Sequence, residues 1–181
     1  MQLQTSRLIL ADLSPLDLTD IHQLHSLPET DEFNTLGIPD SVHTTETILQ
    51  VWLEEQQGNP RMSYIFAIRL AETQHFVGLI ALNLGAANFK RGEVWYKLHP
   101  TFWRQGFAGE ALRRVLQFAF TEIGLHRVEA GCAVENTASI KLLESVGMVR
   151  EGRKRKVLPV RGQWLDNYFY AILESDFHHT S

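Results

Sequence analysis

Residues 103–111 read Trp103-Arg104-Gln105-Gly106-Phe107-Ala108-Gly109-Glu110-Ala111, and the fold is read outward from them. The stretch joins a run with strand character to a run with helical periodicity. Two glycines and an alanine leave the backbone bare where the helix begins. The first amides of a helix have no partner inside it, and the helix dipole adds partial positive charge there, so such a turn suits a phosphate or pyrophosphate. Arg104 offers a charge-assisted contact to the same ligand. Taken alone, the glycines serve an ordinary strand-to-helix loop equally well. The chain has no G-x-x-x-x-G-K-[ST] and no G-x-G-x-x-G after its first strand, so neither a Walker-type nucleotide loop nor a nicotinamide fingerprint is present.

Beyond the turn, Leu112, Val115, Leu116, Ala119 and Ile123 recur at helical spacing, with Arg113, Arg114, Gln117 and Thr121 opposite. This predicts an amphipathic helix over 109–123, ended by Gly124. Before the turn, 93–98 reads as a strand stopped by His99-Pro100, and 64–70 and 76–84 as a hairpin around Glu72-Thr73-Gln74. Further on, Val128, Ala130, Cys132 and Val134 alternate as a strand. A short helix over 137–146 is closed by Gly147, and two strands within 148–173 flank a turn at Val160-Arg161-Gly162. At the other end, 7–10 is a first strand, and Ser14-Pro15-Leu16-Asp17 starts a helix running to about Ser26. Residues 29–41 read as loop, and 44–57 as a second helix. The order predicts an α/β (α+β) chain with a mostly antiparallel sheet, not a regular βαβ winding.

With 181 residues, 44% of them apolar, the chain suits one domain, 1–181, around one core. Its formal charge of −4, from 17 basic and 21 acidic residues, makes no case for nucleic acid as a partner. Cys132 is the one cysteine, so no internal disulfide forms and no C-x-x-C metal spacing exists; no metal is expected. No apolar run approaches the roughly 18–20 residues of a membrane span, and the N-terminus lacks a signal-peptide pattern. A cytoplasmic protein without a membrane partner is expected.

Gln105-Gly106-Phe107-Ala108 resembles the pyrophosphate-binding turn of the GNAT acyltransferase superfamily, Q/R-x-x-G-x-G/A, with Trp103 departing from its first position. The branch acetylating ribosomal-protein N-termini (RimJ/RimL-like) often has Y-W-G-Q-G-Y-A there. Similar to that branch are also Thr5-Ser6-Arg7-Leu8-Ile9-Leu10, Glu93-Val94-Trp95-Tyr96, residues 125–130, Glu135-Asn136-Thr137-Ala138-Ser139 and Gly147-Met148. The resemblance spans nearly the whole chain in order. It implies a GNAT fold: a mixed, mostly antiparallel sheet with helices on both faces, splayed where acetyl-CoA lies between 93–98 and 128–134. Transfer of the acetyl group to an amine then follows by direct attack.

Three tasks need groups: deprotonating the amine, holding the oxyanion and protonating the thiolate. The resemblance makes Glu93 the first candidate base, acting through water; otherwise it is a glutamate on the wet face of its strand. Glu129 is second, facing cleft or solvent. Asp166 is placed to shape the acceptor pocket or to be paired. Many relatives take the acid from a tyrosine four residues before the glycine closing the last helix, but here that residue is Leu143. Ser139 resembles the serine that RimL-like enzymes use, and otherwise bonds backbone. Asn136 is a natural N-cap, and the resemblance adds a cofactor contact. A backbone N–H near Leu98 would hold the oxyanion. Arg104, Gln105, Gly106, Phe107, Ala108 and Gly109 would hold the cofactor, with Glu110 pointing away. Cys132 reads as packing, His126 and Arg127 as structural, and the basic run 150–156 as a solvated hairpin face. Competing readings are a non-catalytic acyl-CoA sensor, an enzyme for a small-molecule amine, and a protein-interaction module. Acceptor identity, and whether the protein is a monomer or homodimer, stay open.

Overall fold

In the computed structural model, residues 1–177 are described, so the last four residues of the expected domain lie outside them. The chain runs through eight strands and six helices among the described residues. These are β1 (Gln2–Gln4), β2 (Leu8–Asp12), α1 (Leu18–Ser26), α2 (Pro28–Asp31), α3 (Val42–Gln56), β3 (Ser63–Leu70), β4 (Phe76–Leu84) and β5 (Arg91–Leu98). They continue with α4 (Phe107–Thr121), β6 (Arg127–Ala133), α5 (Thr137–Ser145), β7 (Val149–Val160), β8 (Gln163–Leu173) and α6 (Glu174–Phe177). The strands form one sheet in the order β1-β2-β3-β4-β5-β6-β8-β7. Only the β5–β6 pair is parallel, as the expected mixed, mostly antiparallel sheet requires.

Alternation along the strands feeds two cores. On one face Leu8, Leu10, Phe66, Ile80, Leu82 and Val94 pack with Leu112, Val115, Leu116 and Ala119 of α4 and Leu143 of α5. On the other, Ile65, Ala67, Leu79 and Ala81 pack against Ile21 and Leu24 of α1 and Leu49 of α3. Side chains one residue apart on a strand point to opposite faces, so a residue of β5 belongs either to the α4 side (Val94, Tyr96, Leu98) or to the α1–α3 side (Glu93, Trp95, Lys97).

Four boundaries differ from expectation. The 29–41 loop contains helix α2, a single turn with Pro28 at its first position; Thr30 Oγ1 donates to Leu24 O (2.6 Å), and Asp31 is held from the far end of the chain. The helix expected to begin at Ser14 opens with a 3₁₀ turn, Pro15–Asp17, before α1. Strand β1, three residues long, is too short to show a period. Helix α4 begins at Phe107, two residues earlier than expected, because a glycine at 109 costs a helix only about 1 kcal/mol against alanine and tertiary packing overrides that.

Candidate functional site

Strands β5 and β6 pair at Arg91–Arg127, Gly92–Val128 and Glu93–Glu129, and no further. From there β5 continues to Leu98 against β4, and β6 to Ala133 against β8. The sheet therefore opens as a wedge past Glu93. His99 N–H donates to Val77 O (2.9 Å), which makes Gly78–Leu98 a non-hydrogen-bonded pair. The N–H and C=O of Leu98 are accordingly turned away from β4, into the wedge. The carbonyl accepts from Trp103 Nε1 (2.8 Å), which leaves the N–H as the donor there.

At the mouth of the wedge lies the glycine turn. Arg104 (φ 60°) and Gly106 (φ 82°) take left-handed backbone, and Gly106 is the N-cap of α4 without a side-chain cap. Phe107, Ala108 and Gly109 thus supply the first three free amides of the helix. Of the residues expected to hold a ligand, Phe107 has only its backbone to offer: its ring is buried, 6.1 Å from that of Phe102. Gln105 is turned back, its amide donating to Thr101 O (2.7 Å). Arg104 is exposed at the turn. A residue that sequence reading missed fixes the turn from behind. Arg7 lies 4.5 Å over the Phe107 ring, donates to Gln105 O (3.1 Å) and to Glu110 Oε2 (2.6 Å). Burial alone would raise the Glu110 carboxyl, but hydrogen bonds from Thr5 and Arg7 hold it below its usual range. Glu110 therefore faces away from the bare amides, as expected. Arg7 was visible in sequence only as part of a matching segment, 97 residues before Arg104.

Across the wedge, Asn136 caps α5, its Oδ1 accepting from Ser139 N–H (3.1 Å). The Ser139 hydroxyl lies 2.7 Å from Tyr96 Oη, so a hydrogen bond joins α5 to β5. Burial pushes the Tyr96 hydroxyl well above its ordinary range, so it stays protonated. Leu143, where many relatives carry tyrosine, is fully buried in the core. Burial also pushes the Cys132 thiol up, in keeping with a packing role.

The carboxylates divide. Glu93 is exposed at the last β5–β6 pair, on the face where Trp95 meets Trp52 (5.9 Å). Glu129, expected as a second base, accepts from Arg127 Nε (2.8 Å), with Arg91 at 4.0 Å; both its oxygens face guanidinium groups. Arg127 also pairs with Glu151, which is the structural role expected for it. Asp166 is likewise tied up, accepting from Arg153 Nε (2.7 Å) and Lys156 N–H (2.9 Å) at the bulge of β7. The basic run follows that hairpin: Arg150 covers Tyr168 and Lys154 covers Phe169. Beside Glu93, on the α1–α3 face, a groove of about 550 Å³ is lined by Trp52, Glu55, Met62, Ser63, Asn83 and Trp95, among others. Among the described residues no group of three or more His, Cys, Asp or Glu side chains could hold a metal ion, and no helix is long and apolar enough to cross a membrane.

Bare helix amides at a left-handed glycine, beside a wedge into which the Leu98 N–H is turned, fit a long thioester that carries a pyrophosphate. Comparison with known proteins agrees. The acetyltransferase (GNAT) domain family matches residues 7–149. An uncharacterized N-acetyltransferase, p20, of Bacillus licheniformis is 30% identical over 178 residues, covering 97% of each chain. The crystal structure of spermidine N-acetyltransferase from Vibrio cholerae, in complex with CoA and spermine, superposes with a TM-score of 0.84 at 24% identity, over 96% of this chain and 99% of that one. RimL, a ribosomal L7/L12 alpha-N-protein acetyltransferase in complex with coenzyme A, superposes with a TM-score of 0.86 at 18% identity, over 96% and 98%.

Proposed function

The chain belongs to the GNAT family of acetyltransferases, which transfer an acetyl group from acetyl-CoA to an amine, and on that footing we propose that its acceptor is a protein N-terminal α-amine, as in the RimJ/RimL-like branch. The observation that carries this is the wedge itself. It opens at an exposed glutamate and ends at an inward N–H, with a hydrogen-bonded hydroxyl pair that joins β5 to α5.

Acetyl-CoA supplies a thioester whose acyl carbon accepts the amine and whose thiol is a good leaving group. The chain's residues supply the rest. The amides of Phe107, Ala108 and Gly109, with Gln105 and Gly106 shaping the turn and Arg104 beside it, hold the pyrophosphate; Asn136 orders the opposite wall. Leu98 N–H stabilises the oxyanion. As the C–N bond forms and the C–S bond breaks, Glu93 takes the amine's proton through water, and the Ser139 hydroxyl, backed by Tyr96, offers a proton or hydrogen bond to the departing sulfur, whose reference pKa of about 8.5 asks little of it.

An α-amine suits this modest base. With reference pKa values of about 7.7–8.0 against 10.4, roughly one α-amine in ten is neutral at pH 7, against about one lysine-type amine in 2,500. The groove beside Glu93 gives a peptide room beyond its first residue. The test is calorimetric titration with acetyl-CoA, followed by thiol release against N-terminal peptides and small amines. Release with peptides supports the reading. Tight binding without release by any amine would leave a sensor. Glu93→Gln should lower turnover at least tenfold with cofactor affinity nearly unchanged; equal activity of variant and parent across pH 6–9 removes the base assignment.

A further inference from the structure

Among the described residues six buried side-chain atoms lack a hydrogen-bond partner, and five of them stand on α1, α2, the segment just after α2, β5 and β8: His25 Nδ1, Asp31 Oδ1, Asn34 Nδ2, Lys97 Nζ and Asn167 Oδ1. Lys97 stands on β5 past its last pair with β6, on the face of Glu93 and Trp95. Asn167 is opposite Ala133, so register places it on that same face, on the other wall. Its side chain leans over the bare backbone of Gly131, where a Cβ would come within 2.7 Å of its Nδ2. From α1 and α2, His25 and Asp31 lie close enough for charge to be felt between each of them and Lys97. His25 is 1% and Asp31 4% exposed. Asn34 follows one turn on, its N–H donating to Asp31 O (3.1 Å).

Orphaned polar atoms are rare in folded proteins, and each calls for a partner. Here the missing partners have a definite chemistry. Arg161, from the β7–β8 turn, occupies Asp31 Oδ2 (3.0 Å), while Oδ1 and Asn167 Oδ1 both want donors. Lys97 is a buried ammonium wanting an anionic oxygen. Burial pushes His25 down to about 4, so it is neutral at pH 7. Arg161 and Lys97 thus stand against the one carboxylate of Asp31, with Glu93 the next acid on that face of β5. A polyamine would bring further cations beside Lys97, a like-charge contact in a poorly hydrated site.

We propose that Lys97, Asp31, His25 and Asn167 form the head-group pocket of the acceptor, and that the acceptor presents a carboxylate beside the amine to be acetylated, as an α-amino acid or a peptide led by Asp or Glu does. This rests on the acetyl-transfer reading. The carboxylate pairs with Lys97, and N–H groups of the head are donated to Asp31 Oδ1 and Asn167 Oδ1.

Thiol release with saturating acetyl-CoA, measured for free glutamate, Glu-led and Ala-led peptides and spermidine, tests it in the parent and in Lys97→Met. The expected result is a kcat/KM at least tenfold higher for a Glu-led than for an Ala-led peptide, with spermidine lowest and the ratio falling to near one in the variant through KM. Faster use of free glutamate than of the Glu-led peptide assigns the same pocket to the free acid; the reverse assigns it to a chain end. A parent that treats Glu-led and Ala-led peptides alike, or prefers spermidine, overturns the proposal and leaves the orphaned atoms to water. Titrating the two peptides into the CoA-bound protein reads the pocket without turnover. Tighter Glu-led binding with no thiol release means that the reaction has failed and the pocket stands; equal binding means that the pocket has failed. Lys97→Met removes an unpaired buried charge, so it is expected to fold, and a melting temperature at or above the parent's confirms that before the kinetics are read.

Discussion

In the proposed reaction Ser139 acts through a hydroxyl that is a weak acid, and its geometry compensates. Its N–H is held by the Asn136 cap, and its oxygen sits 2.7 Å from a tyrosine hydroxyl that burial keeps protonated. Ser139→Ala should therefore lower kcat by about 10²-fold, the low end of general-acid contributions. Tyr96→Phe, which removes only the second hydroxyl, should cost less, with both variants keeping the parent's acetyl-CoA affinity in calorimetry. Wild-type turnover in Ser139→Ala would end the acid assignment. Asn136 was legible because a cap has local spacing rules, and Ser139 through its resemblance to the serine of RimL-like enzymes. The sequence did not lead to the Tyr96 hydroxyl, because a contact between residues 43 positions apart has no such rules. For the same reason Glu129 reads as a free candidate base in sequence, although Arg127 and Arg91 enclose it in the fold.

At the scale of elements, the glycine turn shows how little of a binding loop is its own doing. Left-handed backbone at Gly106 is a local demand, since a side chain there costs roughly 1–2 kcal/mol. The position of the turn, however, is set by Arg7 from the segment before β2, through Gln105 O, Glu110 and the Phe107 ring. Gly106→Val combines the strain with a crowded Cβ, which would lie 3.3 Å from Arg7 Nη2. Acetyl-CoA affinity in that variant should fall at least tenfold by calorimetry. Arg7→Met, which leaves the glycine alone, should weaken it too, and unchanged affinity in both would show that the amides of α4 do not bind the ligand. The β7–β8 hairpin makes a comparable tie. Arg161, in a two-residue turn with positive φ at both Arg161 and Gly162, reaches α2 through Asp31 and Pro28 O (2.8 Å). A turn at 160–162 was legible from its glycine; its grip on a helix 130 residues away was not, and that grip helps to place α2 where loop was expected.

For the molecule as a whole, the buried groups of the α1–α3 side set a pH dependence of stability. His25 is pushed down to about 4, chiefly by burial, against 6.5 in the unfolded chain. Between those values the unfolded state binds the proton and the folded state does not. Stability is thus present above pH 6.5 and lost as pH falls toward 4, by up to about 3 kcal/mol at about 1.4 kcal/mol per unit. Lys97, pushed down to about 8 against 10.5 by burial, works the same way at the other end, so that stability rises as pH climbs from 8 to 10.5. Urea midpoints across pH 4–10 should show both slopes, with His25→Phe flattening the acid one and Lys97→Met the alkaline one. Persistence of the acid slope in His25→Phe would assign it to carboxylates instead. Resemblance pointed to the family, while most of the strands, the main helices and the turn at Gly106 could be read from the residues alone. These rest on periodicity, caps and backbone restrictions, all local in the chain. Where β5 and β6 part, which carboxylate stands free, and that Lys97 and Asn167 share a face of the sheet follow only from the folded chain. Those are facts of long-range register and packing, where partners far apart in sequence compete for the same charge and the same space.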